Sequence, residues 1–226
     1  AQPEEKLGPE THEDAPKVEL PASSATEVFK EAKIGFAKQD LAERLKFDFP
    51  QMPAAAVFER FGYVWVVFDS KEKPKFPSLN ESSFFQGTEK LKSDYMAYKL
   101  PLKKDAEVAA IKEGNSWIVE VAASNRSNVN LKPDLLGDYW VFNAKNTAKS
   151  IKLRDDFSED NLLIVPLVDA SGVSSGHSNG DFLTGQSAQG IVIRPITESA
   201  KSVVFEGDNI KIKKTSTLVE LDKKAP

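Results

Sequence analysis

Gly62-Tyr63-Val64-Trp65-Val66-Val67-Phe68 is the stretch that decides the fold. A glycine followed three residues later by tryptophan recurs at Gly114-Asn115-Ser116-Trp117 and Gly137-Asp138-Tyr139-Trp140, so all three tryptophans of the chain stand in this setting. Each Trp opens a β-branched or aromatic run: Val66-Val67-Phe68, Ile118-Val119-Glu120-Val121 and Val141-Phe142. A fourth copy, Gly207-Asp208-Asn209-Ile210-Lys211-Ile212, carries Ile in the Trp position. A glycine that permits the turn, followed by a strand of bulky residues, is the pattern of a β-hairpin. Its repetition predicts an all-β protein, an antiparallel β-sandwich or two small sandwich-like units built from repeated hairpins. Val64 to Phe68 is apolar without alternation, whereas a strand with water on one side alternates. That strand is expected at the centre, covered on both faces.

Working outward, Leu45-Lys46-Phe47-Asp48-Phe49 alternates like a half-buried strand. Further strands are expected near residues 94–100, 107–113, 116–121, 138–143, 150–154, 162–167, 190–194, 202–205, 209–213 and 217–221. Many short strands with turn signals between them predict packed sheets. Residues 1–24 are acidic, punctuated by Pro3, Pro9, Pro16 and Pro21, and nearly free of large apolar side chains. Such a segment cannot offset its chain entropy and reads as a disordered leader. Residues 25–44 read as a short helix or linker, with Ser24-Ala25-Thr26-Glu27 as a cap and Val28, Phe29, Ala32 and Phe36 on one side. Gly35 weakens a helix there. Ser124-Asn125-Arg126-Ser127-Asn128 marks a boundary. It divides a first β unit, 45–123, from a second, 131–222.

The chain has 226 residues, 40% hydrophobic and 28% charged, enough for one large β domain or two small ones. Seven acids and two lysines lie between Ala1 and Glu27; removing them from 34 acids and 30 bases leaves 27 against 28, a nearly neutral body. No basic surplus points to nucleic acid. The absence of cysteine removes disulfides, thiol catalysis and Cys-type metal sites. No run approaches the length of a membrane-spanning helix. The opening Ala1-Gln2-Pro3 fits a mature N-terminus left by a signal peptidase, and fits an arbitrary boundary equally well.

Chemistry-bearing residues are sparse. His12 lies in the leader. His177 stands in Ser174-Ser175-Gly176-His177-Ser178-Asn179-Gly180-Asp181, which invites a Ser/His/Asp hydrolase reading. A surface loop of small polar residues is the stronger one, because a triad is assembled by the fold rather than by adjacency. Asp155, Asp156, Glu159 and Asp160 form an acidic cluster that could take calcium weakly, but without an Asp-x-Asp-x-Asp-Gly loop it reads as a solvated turn between strands. No catalytic residue, metal site or cofactor is therefore assigned. Trp65 and Trp117 are expected in the core. Tyr63 and Tyr139, beside turn glycines, are candidates for an exposed ligand or partner surface, including a sugar-stacking one. Lys211 and Lys213, in Lys211-Ile212-Lys213-Lys214, mark a charged edge strand that a partner strand could extend.

The segment Phe47-Asp48-Phe49-Pro50 with Ala54-Ala55-Ala56-Val57-Phe58-Glu59-Arg60-Phe61-Gly62-Tyr63-Val64-Trp65-Val66-Val67-Phe68-Asp69 resembles the N-terminal β-rich region of large bacterial extracytoplasmic proteins. These often carry tetratricopeptide repeats further on. The resemblance continues through Leu153-Arg154-Asp155, Leu163-Ile164-Val165-Pro166-Leu167 and Ala188-Gln189-Gly190-Ile191-Val192-Ile193, and covers most of the chain after residue 45. More distantly the hairpin is similar to the AMIN domain, a β-sandwich that helps place periplasmic proteins on peptidoglycan or in envelope complexes. The resemblance implies a non-enzymatic envelope module with protein partners, peptidoglycan as a second ligand class, and no catalytic residues to carry over. This chain shows no tetratricopeptide pattern before Pro226.

Overall fold

Pairing of the predicted hairpins produces four antiparallel sheets, seen in a computed structural model that describes residues 29–124, 131–178, 181–196 and 203–213. The first sheet has the order β1 (Lys33–Lys38), β2 (Ala42–Asp48), β8 (Ser116–Ala122), β7 (Glu107–Glu113). The second runs β3 (Ala55–Arg60), β4 (Tyr63–Phe68), β6 (Met96–Pro101), β5 (Glu89–Lys90). The third is β11 (Ile151–Arg154), β12 (Asn161–Val165), β15 (Ile191–Pro195), β14 (Phe182–Thr184), β13 (His177–Ser178). The fourth is β16 (Val203–Glu206), β17 (Asn209–Lys213), β10 (Tyr139–Asn143), β9 (Asp134–Leu136). The described chain contains strands and no helix, so the fold is all-β.

The four glycine turns are two-residue hairpin loops, and Gly62, Gly114, Gly137 and Gly207 all have φ between 55° and 75°. They are not equivalent. Arg60 pairs with Tyr63, so Gly62 is the second turn residue; in the other three turns glycine comes first. Trp65 is consequently third in its strand, whereas Trp117 and Trp140 are second.

Alternation along β4 places Val64, Val66 and Phe68 against the first sheet and Trp65 and Val67 against the third. β12 divides similarly: Leu162 and Ile164 face the second sheet, Leu163 and Val165 the fourth. Both inner sheets are thus covered on two faces, as the unbroken apolar run of β4 requires. Trp65 and Trp117 are fully buried. The first and second sheets make one sandwich, the third and fourth another, and a third apolar layer joins the two.

The join is also hydrogen-bonded. The free side of β3 exchanges backbone bonds with Leu167 at Ala55 (2.9 and 3.0 Å) and with Ala188 and Gln189 at Val57 (2.8–3.0 Å). Gln189 is fully buried and satisfied: its amide donates to the carbonyls of Leu167 (3.1 Å) and Asp169 (2.9 Å), and its oxygen accepts from Ser171 N–H. The segment after Asp169 is pinned by these bonds and by Val173 N–H to the Ser187 hydroxyl, and it leads into β13 at His177, within the stretch expected to be a surface loop.

Two expectations are corrected. Residues 33–38 form strand β1 rather than part of a helix. Ile34 and Phe36 turn towards the core with a period of two, and β2 supplies a pairing edge that outweighs local helical spacing. Val28 and the cap lie outside the described residues, as do the leader, the 217–221 strand and most of the Ser124–Asn128 boundary. Lys211 and Lys213 do not mark an edge: β17 lies between β16 and β10. Its lysines alternate with inward Ile210 and Ile212, so they signal a wet face, not an open side.

Glu43 is a buried carboxylate in β2. It accepts from the Ser82 hydroxyl and from the backbone N–H groups of Ser83 and Phe84, holding the irregular crossing that carries Phe84 and Phe85 into the core. Glu43→Ala strands those donors and is expected to cost about 1–3 kcal/mol. Urea unfolding gives the loss, and amide exchange at Ser83 and Phe84 locates it; unchanged exchange there refutes the assignment.

Candidate functional site

The second sheet covers β11, β12 and β15 of the third but not β13 and β14. The uncovered shoulder leaves a groove of ≈ 440 Å³, floored by Leu162, Leu183 and Val192 and flanked by Arg60 and Arg194. A second groove of ≈ 410 Å³ continues from it between β3 and β7, sharing Arg60, Gly185 and Val192.

Arg60, the last residue of β3, organises this end of the molecule. Its Nε donates to Asp155 Oδ2 at 2.9 Å, and Nη2 donates to the Ser158 hydroxyl at 2.9 Å and to Asp160. Lys99 Nζ, from β6, donates to Asp155 Oδ1 at 3.2 Å. Arg194 Nη1 reaches Asp160 at 3.4 and 3.5 Å. Asp155 and Lys99 are both buried. Lys99 Nζ also sits 4.2 Å from the Tyr63 ring centre and 4.9 Å from that of Trp65. Burial pushes the Asp155 carboxyl up, but the hydrogen bonds from Arg60, Lys99 and Phe157 N–H, with the Lys99 charge, outweigh it and hold Asp155 below the usual carboxylate range. Asp160 is likewise held low against its own burial by Ser158, Arg194 and Arg60.

This network fixes the turn between β11 and β12, on whose tip Phe157 is 71% exposed. Beside it stands Phe61, 55% exposed on the β3–β4 turn. The ring centres are 5.5 Å apart, and the Arg60 guanidinium lies 4.5 Å over Phe61. Phe61 has φ 52°, in a turn position where Asn or Asp is the favourable residue. A bulky side chain there costs of order 1 kcal/mol. Two large apolar rings are thus held in water, one of them on strained backbone.

The sequence candidates separate. Tyr63 belongs to this network, with Lys99 on its ring. Tyr139, Lys211 and Lys213 lie together on the outer face of the fourth sheet, with the third sheet between them and Tyr63. Tyr139 pairs directly with Lys213, and Lys211 Nζ is 5.8 Å from the Tyr139 ring centre and ion-paired with Glu206. His177 sets its ring edge-on to Trp140 at 5.6 Å, and its Nε2 is buried without a hydrogen-bond partner. The acidic turn spends Asp155 and Asp160 on cations of the second and third sheets, and the described residues hold no cluster of three or more metal-ligating groups.

Arg60, Phe61, Lys99, Phe157 and Arg194 escape sequence reasoning. Two cues were present: a Phe where the turn before Gly62 favours Asn, and a lone Phe within Asp155-Asp156-Phe157-Ser158-Glu159-Asp160. No family model, curated protein or solved structure matches the chain.

Proposed function

We propose that this protein is a non-catalytic binding and assembly module of the bacterial envelope, contacting protein partners through the Phe61–Phe157 tip. The observation that carries the reading is the exposed aromatic pair, held by a buried ion network and kept at the expense of backbone strain. Departures from local conformational rules concentrate at working sites. Large exposed apolar side chains that cluster mark interaction surfaces. The placement in the envelope rests on the resemblance of the β3–β4 region. Peptidoglycan binding is the weaker reading, because Tyr63 presents one face to Lys99 and lies far from Tyr139.

Phe61→Asn separates binding from stability. It relieves the positive-φ strain, so urea unfolding is expected to show equal or higher stability, by up to about 1 kcal/mol. The same substitution removes half of the aromatic pair. A photo-crosslinking residue at position 157, in cells, is expected to give a discrete protein adduct that Phe61→Asn weakens. A crosslinker at Lys46, on the first sheet, is the control. Identical adducts at both positions, or none at 157, reject the assignment. Co-sedimentation with peptidoglycan sacculi tests the weaker reading.

A further inference from the structure

We infer that one partner of the tip is a second copy of this chain, with Phe157 of each copy seated in the Leu162–Leu183–Val192 groove of the other. This deepens the proposed function and rests on it. Knob and groove lie on either side of Arg60, whose guanidinium stacks on Phe61 and also lines the groove. A projecting apolar group beside a matching recess is the arrangement a two-fold axis satisfies twice, because an isologous interface uses one patch on both subunits.

Charge agrees with this occupant. Phe157 is flanked by Asp156, which is exposed and makes no ion pair among the described residues, and by Glu159, whose carboxylate meets Arg154 only at 4.0 Å. The groove is bordered by Arg194, 37% exposed and paired with Asp160 at 3.4 Å, and by Arg60. An apolar knob with exposed carboxylates fits an apolar recess with cations at its rim. The same carboxylates weigh against an anionic lipid surface as the occupant.

Sedimentation velocity of the purified chain over a concentration series is expected to show reversible dimerisation that weakens with salt. Phe157→Ser and Leu183→Glu, one on each side of the contact, are each expected to weaken it at least ~10-fold. Urea unfolding confirms that both variants remain folded. The chain contains no cysteine, which allows a direct test of geometry. Protein carrying Asp156→Cys, mixed with protein carrying Ser178→Cys, is expected to form the mixed disulfide faster than with Lys46→Cys protein. Ser178 pairs with Leu183 across β13 and β14 and lines the groove.

A single monomeric species up to millimolar concentration overturns the inference. So does a dimer indifferent to both substitutions, or equal disulfide formation with either mate. If the chain is monomeric while a crosslinker at 157 captures another protein in cells, self-association fails and the binding module stands. If position 157 yields neither, both fall.

Discussion

Gly190→Ala is expected to destabilise the protein by about 2–5 kcal/mol, the sum of an overpacking cost and a left-handed backbone cost. Gly190 has φ 77°, and an added Cβ would lie 2.6 Å from Ala56 Cβ, 2.9 Å from Ala56 Cα and 3.0 Å from the Ala55 carbonyl oxygen. Two of those three atoms are backbone of β3, which is paired with β4 on one side and with Leu167 and Gln189 on the other. Nothing in that neighbourhood yields cheaply. The change also disturbs the Gly190 N–H bond to Ser171 and the Ser187 hydroxyl bond to the Gly190 carbonyl. Gly87→Ala is the control: an added Cβ there meets nothing within 4 Å and φ is not positive, so the effect should stay within about 0.5 kcal/mol. Equal urea midpoints for the two variants would show that the close approach at Ala56 is not a constraint.

Asp155→Ala is expected to cost about 3–5 kcal/mol, the usual range when one partner of a buried ion pair is removed. It leaves Lys99 buried without its carboxylate and deprives Arg60 of one of its two acidic partners. A double replacement, Lys99→Met with Asp155→Leu, should recover part of the loss, because an apolar pair needs no compensation for desolvation. Acid dependence supplies an independent check. The folded carboxyls of Asp155 and Asp160 titrate below the normal range. Their contribution is therefore complete above the unfolded value, ~3.9, and disappears as pH falls through the lower folded values. Between neutral pH and about pH 3 the parent protein should lose more stability than the Asp155→Ala variant. Parallel losses in the two proteins would show that Asp155 is not held by its cations.

The hairpin frame was legible because each hairpin is a local device. Glycine in the turn and bulky residues after it are neighbours in the chain, and the lack of alternation in β4 announced its double cover. The tip was not legible. Arg60 and Asp155 are 95 positions apart and Lys99 and Asp155 are 56 apart, and no local rule links them. The acidic turn therefore looked like an exposed loop. Tyr63 drew attention for its place beside glycine, while Phe61, on the glycine's other side, is the more exposed ring. Lysines in β17 suggested an edge because charge on a strand reports exposure, and a face is exposed as readily as an edge. The 33–38 strand was obscured by apolar spacing that suits a helix until β2 is available as a mate.

The backbone bonds that β3 makes to Leu167 and Gln189 have a mechanical consequence. Separate β units joined only by a linker reorient freely, and relative motion is the default unless their contact is large and apolar. Here the contact is apolar and stitched along one strand, so the two sandwiches cannot hinge about it without shearing hydrogen bonds. The four sheets are therefore expected to tumble together, with no hinge between the sandwiches at β3.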